Sequence, residues 1–365
     1  MSLKIFWLRE RFEWMGQHSG YDQVCGAIVK LRPGNYQSVW RKPIEYMPRI
    51  GYRFLLPIVG RTRPNPFYNV YSAAAELNVV WKSFWKRPHL VHITYVENNL
   101  GILTDWSHRL SIKTVGTVHQ PAGWWRSMYP YSERVSALDA VIVPASNEVS
   151  YFEQYLPGRV YFIPHGVDTV FFRPKVEDIN SAEDCSYPRC VFSGKWLRDT
   201  DTMAQVIGKV IAQNAKVRFD MIVPTDNRDD PAFSRIARYE QVCWHAGVSD
   251  EQLREIYRRA TRLVLPLLDC TANNTLLEAI ACGLPGVSND VGGVPDYTHV
   301  SFAERLPLGD VDGFVEAVLR LANDPQECRM RGVAARSFAE QHLSWGRIAD
   351  RTFEVYEKVL LSESN

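Results

Sequence analysis

The sequence predicts an α/β protein with two doubly wound parallel sheets. Three observations carry that expectation. Short apolar runs alternate with helical periodicity along the chain, the pattern of parallel strands covered by helices. Its 365 residues are enough for two hydrophobic cores. A charged, aperiodic stretch at 175–188, bounded by Pro174 and Pro188, interrupts the alternation near mid-chain.

Residues 5–8, 90–94, 114–118, 140–143 and 160–163 read as strands of the first half. Residues 190–193, 217–223, 263–265 and 286–288 read as strands of the second. The last helical pattern begins at Trp345, with Ile348, Ala349, Phe353, Tyr356, Val359 and Leu360 at helical spacing. Its aromatic face reads as core. The expected units are an N-terminal domain over 1–168, a second over 169–340, and a C-terminal helix over 341–365 returning to the first.

Composition excludes several classes. A net charge of +1 carries no bias toward nucleic acid. The seven cysteines include no CxxC pair, and Cys243 and Cys282 lie in apolar runs as small core residues, so a reducing compartment is expected. The N-terminus shows no signal-peptide pattern, and no window approaches the roughly 18 apolar residues of a membrane helix. A cytoplasmic location follows, with the inner face of a membrane as a variant. No GxGxxG follows a strand, which argues against a dinucleotide oxidoreductase.

The stretch 269–285, Asp-Cys-Thr-Ala-Asn-Asn-Thr-Leu-Leu-Glu-Ala-Ile-Ala-Cys-Gly-Leu-Pro, is the most informative. It follows the apolar run 262–268. Asn273 or Asn274 suits a helix N-cap, Gly283 a left-handed C-terminal cap, and Pro285 a stop. The amides of Asn274, Thr275 and Leu276 would converge beyond a strand's carboxyl end and favour an anion such as phosphate. Glu278, one turn in, would repel phosphate but accept hydrogen bonds from a ribose diol. An ordinary capped helix explains the same residues equally well.

Several segments together resemble the family 4 glycosyltransferases of the GT-B fold. They are Asp139-Ala-Val-Ile-Val-Pro-Ala-Ser-Asn-Glu148, Val160-Tyr-Phe-Ile-Pro-His-Gly-Val-Asp168 and Val191-Phe-Ser-Gly-Lys-Trp-Leu-Arg-Asp199. His245-Ala-Gly-Val-Ser-Asp-Glu-Gln-Leu253 with Tyr257, and Leu276-Leu-Glu-Ala-Ile-Ala-Cys-Gly-Leu-Pro285 with Gly292-Gly-Val-Pro-Asp296, complete an ordered series over 139–360. The resemblance implies two Rossmann-like domains facing across a cleft. It implies a hexose moved from a nucleotide diphosphate sugar, UDP before GDP, to an acceptor hydroxyl with retention. The acceptor would be a carbohydrate or lipid-linked. No cofactor and no metal are implied, so cations must come from side chains.

By that resemblance Lys195, after a turn at Gly194, and Arg198 neutralise the diphosphate. Lys195 stands for the family's arginine, and Thr200 occupies its lysine position. Two solvated loop cations remain the alternative. The first of the family's paired glutamates falls on Cys270, so Asp269 or the amides of Ala272 and Asn273 would hold the sugar. Asp269 as a plain turn residue is equally open. His119, at a strand's carboxyl end, would contact the donor sugar, and Gly20 would let backbone approach the diphosphate. His165 reads as a linker residue. The pairs Asp199/Asp201 and Asp310/Asp312 mimic a metal-binding DxD but read as helix caps, and Asp229-Asp230 as a solvated turn. Trp81, Trp85, Trp124 and Trp125 lie among basic residues; burial is expected, with sugar-ring binding or peripheral membrane contact as the alternatives. A GT-B nucleotide-sugar epimerase and a non-catalytic sugar-nucleotide binder are the rival functions.

Overall fold

The computed structural model describes residues 3–12, 15–41, 49–175 and 187–362. The chain divides into two compact units. The first comprises Met1–Met15, Gly20–His165 and Trp345–Asn365; the second comprises Gly16–Ser19 and Gly166–Ser344. Most of the charged stretch at 175–188 lies outside the described residues, as does Cys185.

Unit 1 is built on a parallel sheet of six strands in the order β2-β1-β3-β4-β5-β6. The strands are β1 (Lys4–Glu10), β2 (Asn35–Arg41), β3 (Leu90–Ile93), β4 (Lys113–Thr117), β5 (Ala140–Val143) and β6 (Val160–Phe162). Side chains alternate across it. Phe6, Leu8, Val91, Ile93, Val141 and Val143 face one core, shared with Val79, Val80, Trp125 and Phe152. Ile5, Trp7, Leu90, Ala140 and Ile142 face the other, shared with Val24, Ile28, Ile348 and Tyr356. Both faces are covered, so the strands read as nearly continuous apolar runs. Three helices matter below: α1 (Gln23–Leu31), α2 (Arg49–Gly60) and α3 (Val70–Lys86). The C-terminal helix Trp345–Leu361 packs against α1.

Unit 2 carries β7 (Arg189–Ser193), β8 (Arg218–Ile222), β9 (Val242–His245), β10 (Arg262–Leu265), β11 (Gly286–Asn289) and β12 (Ala303–Leu306). Their order is β12-β11-β10-β7-β8-β9, all parallel. From the first strand of the unit this is 3-2-1-4-5-6, which places the topological switch point between β7 and β10. The helices used below are α4 (Thr200–Gln213), α5 (Asp250–Arg259) and α6 (Asn274–Ala281).

The strands β2, β9 and β12 are absent from the sequence expectation, and all three lie at sheet edges. One side of an edge strand meets solvent, so its residues need not be apolar. Asn35–Arg41 has one buried residue, Val39, and β9 has Val242 alone. For the same reason Cys243 is exposed rather than core. Trp125 is buried, but Trp81 and Trp85 are 63% and 74% exposed, contrary to the expected burial. Asp230 is not a free turn residue: it caps the helix Pro231–Ile236 through the amide of Ala232. Asp199 and Asp310 cap helices, as expected. Among the described residues, no helix is long and apolar enough to cross a membrane.

Candidate functional site

The switch point of unit 2 brings together the loops after β7 and β10. Gly194 leaves β7 with φ +93°, a conformation that glycine accepts readily. A Cβ there would also lie 2.7 Å from Nη2 of Arg198. The two loops are stitched by backbone bonds from Asp199 to Pro266 (3.1 Å) and from Leu268 to Leu197 (2.9 Å). Arg198 is thereby fixed at the start of α6. Its Nε donates to the Ser193 carbonyl (2.8 Å), Nη1 to that of Trp196 (3.0 Å), and Nη2 to Asn273 Oδ1 (3.3 Å). All three acceptors are neutral. Burial lowers its pKa to about 10, so the guanidinium stays charged at neutral pH, and among the described residues no carboxylate is bonded to it. Lys195 is exposed and pairs with no carboxylate among the described residues.

Asn273 is the N-cap of α6 and accepts from the amide of Leu276 at 3.3 Å. Of the three amides expected to face an anion, Leu276 is therefore taken by the cap. Asn274 and Thr275 begin the helix without intrahelical acceptors. The helix closes as its sequence requires. Gly283 adopts φ +78°, its amide bonds to Ile280, and that of Leu284 bonds to Ala279.

The preceding loop is self-contained. Asp269 Oδ1 accepts from the amide of Cys270 (2.8 Å), and burial raises its pKa. Gly292, at φ +50°, packs on this turn where a Cβ would lie 2.0 Å from the Cys270 carbonyl oxygen. Cys270 is buried, and desolvation lifts its thiol to about 12, so it is uncharged. Ala272 is half-buried beside Asn273.

Glu278 is buried, with both oxygens engaged by hydroxyls. Ser19 Oγ donates to Oε1 (2.5 Å) and Tyr257 Oη to Oε2 (3.0 Å). Burial raises its pKa to about 7. The supporting groups come from one stripe of α5. Asp250, Arg254 and Tyr257 stand at i, i+4 and i+7. Asp250 accepts from the amides of Gln17 and His18. Arg254 lies over the ring of Phe171 at 4.4 Å, and His18 stacks on that ring at 3.6 Å with Nδ1 on Asp168 (2.7 Å). The helical spacing and the two basic and acidic positions were readable in advance. Their partners, Ser19 and His18, lie far away in the chain, in the loop before Gly20 that the family resemblance marks; their side-chain contacts had no sequence signal.

The remaining candidates belong to unit 1. Gly20 has φ +97°. His119 follows β4; its Nε2 donates to the Thr94 carbonyl (2.9 Å) and its amide to Glu97. Burial, helped by His165, lowers the imidazole to about 3, so it is neutral. His165 is buried and rests near Trp345, at 5.2 Å between ring centroids.

Similarity to known proteins extends over both units. The model described as "Glycosyl transferases group 1" fits residues 187–324, and "Glycosyltransferase Family 4" fits residues 41–171. Two glycosyltransferase models thus fit separate parts of a chain that has the GT-B fold. The chain is 27% identical to the alpha-maltose-1-phosphate synthase of Mycobacterium tuberculosis over 79% of this chain and 81% of that one. It is 26% identical to a D-inositol 3-phosphate glycosyltransferase of Streptomyces avermitilis over 61% of this chain and 52% of the other. Among solved structures, sucrose-phosphate synthase from Thermosynechococcus elongatus superposes with a TM-score of 0.72 at 16% identity, covering 99% of this chain and all (100%) of that one. HepE of Anabaena in complex with UDP-glucose superposes with a TM-score of 0.70 at 14% identity, covering 98% and 100%.

Proposed function

We propose that this glycosyltransferase moves a hexose from a UDP-sugar to a hydroxyl of a carbohydrate or lipid-linked acceptor, with retention and without a metal ion. One observation carries the reading: Arg198 is a charged guanidinium held by neutral acceptors, beside the open amides of α6. A cation fixed without a counter-carboxylate is poised for an anionic ligand. Breaking the bond between the sugar and its diphosphate leaves negative charge on the departing oxygen. Arg198, Lys195 and the amides of Asn274 and Thr275 would stabilise it. Glu278 would hold the ribose, exchanging the Ser19 hydroxyl for one of the diol. The metal-free part rests on the DxD look-alikes being occupied. Asp199 and Asp310 cap helices, while Asp201 pairs with Arg235 and Asp312 with Lys209. The UDP preference draws on HepE, solved with UDP-glucose.

Calorimetric titration with UDP, GDP and ADP tests the donor site. UDP binds tightest, and Arg198→Ala weakens it at least about tenfold and lowers transfer by about 100-fold, the usual loss when one charge-stabilising donor is removed. Equal UDP affinity in the variant, or a requirement for added metal after chelation, defeats the corresponding part of the proposal.

A further inference from the structure

We propose that α3 and its neighbour α2 form a docking face for an anionic phospholipid bilayer. This goes beyond the transfer reaction and does not depend on it. Helix α3 buries one stripe, including Ala73, Glu76, Val79, Val80 and Ser83, against unit 1. Its opposite stripe should be polar for a surface helix. Instead Leu77, Trp81, Phe84 and Trp85 stand there at i, i+4, i+7 and i+8, with exposures of 37%, 63%, 45% and 74%. Trp81 and Trp85 meet edge to face at 6.0 Å. Helix α2, packed on the N-terminal end of α3, carries exposed apolar side chains of its own, Phe54 at 75% and Leu56 at 46%. Exposed apolar side chains clustered in this way mark an interaction surface.

Charge identifies the partner. Lys82, Lys86 and Arg87 flank the aromatic stripe, and Arg53 precedes Phe54, with Arg61 and Arg63 just after α2. From Arg49 to Thr104 the sequence holds only two acids, Glu76 and Glu97. Both are buried. Glu76 is bonded to Tyr68 and to the amides of Gly101, Ile102 and Leu103, and Glu97 to those of His119 and Gln120. Among the described residues, α2 and α3 therefore present cations and no exposed carboxylate of their own, although the chain as a whole is nearly neutral. Tryptophan favours the headgroup level of a bilayer, and lysine and arginine beside it favour anionic headgroups. A nucleic acid would use the cations but leave the aliphatic Leu77 and Leu56 without purpose.

Flotation with vesicles of phosphatidylcholine plus phosphatidylglycerol, against phosphatidylcholine alone, tests the proposal. The full chain floats with the anionic vesicles only, and salt releases it. Lys82→Gln with Lys86→Gln weakens binding roughly 25-fold, about fivefold per cation. Trp81→Ser with Trp85→Ser also weakens it at least about tenfold, as does Phe54→Ser on the other helix, by loss of buried apolar area. UDP affinity stays unchanged in all these variants, so failure here is separable from failure of the transfer reading. Equal flotation on neutral vesicles, undiminished flotation of the variants, or capture by RNA or by a second copy of the chain in place of vesicles overturns it.

Discussion

At the residue scale, Glu278 combines a structural cost with the ribose-binding role proposed for it. Its pKa stands at about 7 in the folded chain against 4.5 for a free glutamate. The unfolded chain therefore ionises first, and folding stability falls as pH rises between these values. Glu278→Gln removes that penalty. The melting temperature of the variant relative to the native chain should thus rise from pH 4.5 to pH 7 and level off above, as scanning calorimetry would show. UDP affinity should fall about tenfold, since an amide accepts less strongly than a carboxylate. A flat stability difference across that range would mean that the carboxyl group is solvated. His119 makes a complementary case. Burial holds it near 3, so its imidazole proton resonances should not titrate between pH 5 and pH 8. Of the two, Glu278 was recognisable by its place in a motif. Its protonation behaviour was not, because burial and the Ser19 and Tyr257 hydroxyls depend on chain segments far apart in sequence.

At the element scale, α6 is specified at both ends. Asn273 joins the helix amides to Arg198 through a single oxygen. Asn273→Ala should cost about 1–2 kcal/mol in urea denaturation, typical of a lost cap, and should also weaken UDP binding. Gly283→Ala meets a different obstacle. A side chain at φ +78° is strained, and its Cβ would press on Pro174 at 3.2 Å and the Gly332 carbonyl at 3.4 Å. A loss of about 1–3 kcal/mol is expected, with UDP affinity nearly unchanged because the far end of the helix is affected. If Gly283→Ala weakened UDP binding as much as Asn273→Ala, the helix would be acting as a lever rather than a fixed donor of amides. The caps were legible because each depends on residues adjacent in sequence. The edge strands β2, β9 and β12 were not, because their pairing partners supply what their own side chains lack.

For the whole molecule, unit 1 depends on a helix supplied by the end of the chain. Ile348, Phe353, Tyr356 and Val359 fill one face of its sheet. Tyr356 also receives Trp7 Nε1 (3.2 Å) and lies 2.6 Å from Nδ1 of His92. Buried side chains of this size contribute roughly 1.5–3 kcal/mol each, so four of them rival the about 5–15 kcal/mol that keeps a domain folded. Deletion after Ser344 should abolish the unit 1 transition in calorimetry. Unit 2 keeps its own sheet and core and should retain its transition. Two surviving transitions would show that the helix is dispensable.

The sequence by itself determined the α/β class, the central strands, the helix limits and the glycosyltransferase motifs. Each of these follows from local periodicity, backbone conformation or contiguous residue types. Only the tertiary structure decided which charges lack partners, which carboxyl groups are desolvated, and which aromatic stripe is left outside. Arg198 and Lys82 are both cations in sequence; folding surrounds one with neutral acceptors from distant segments and leaves the other beside exposed tryptophans.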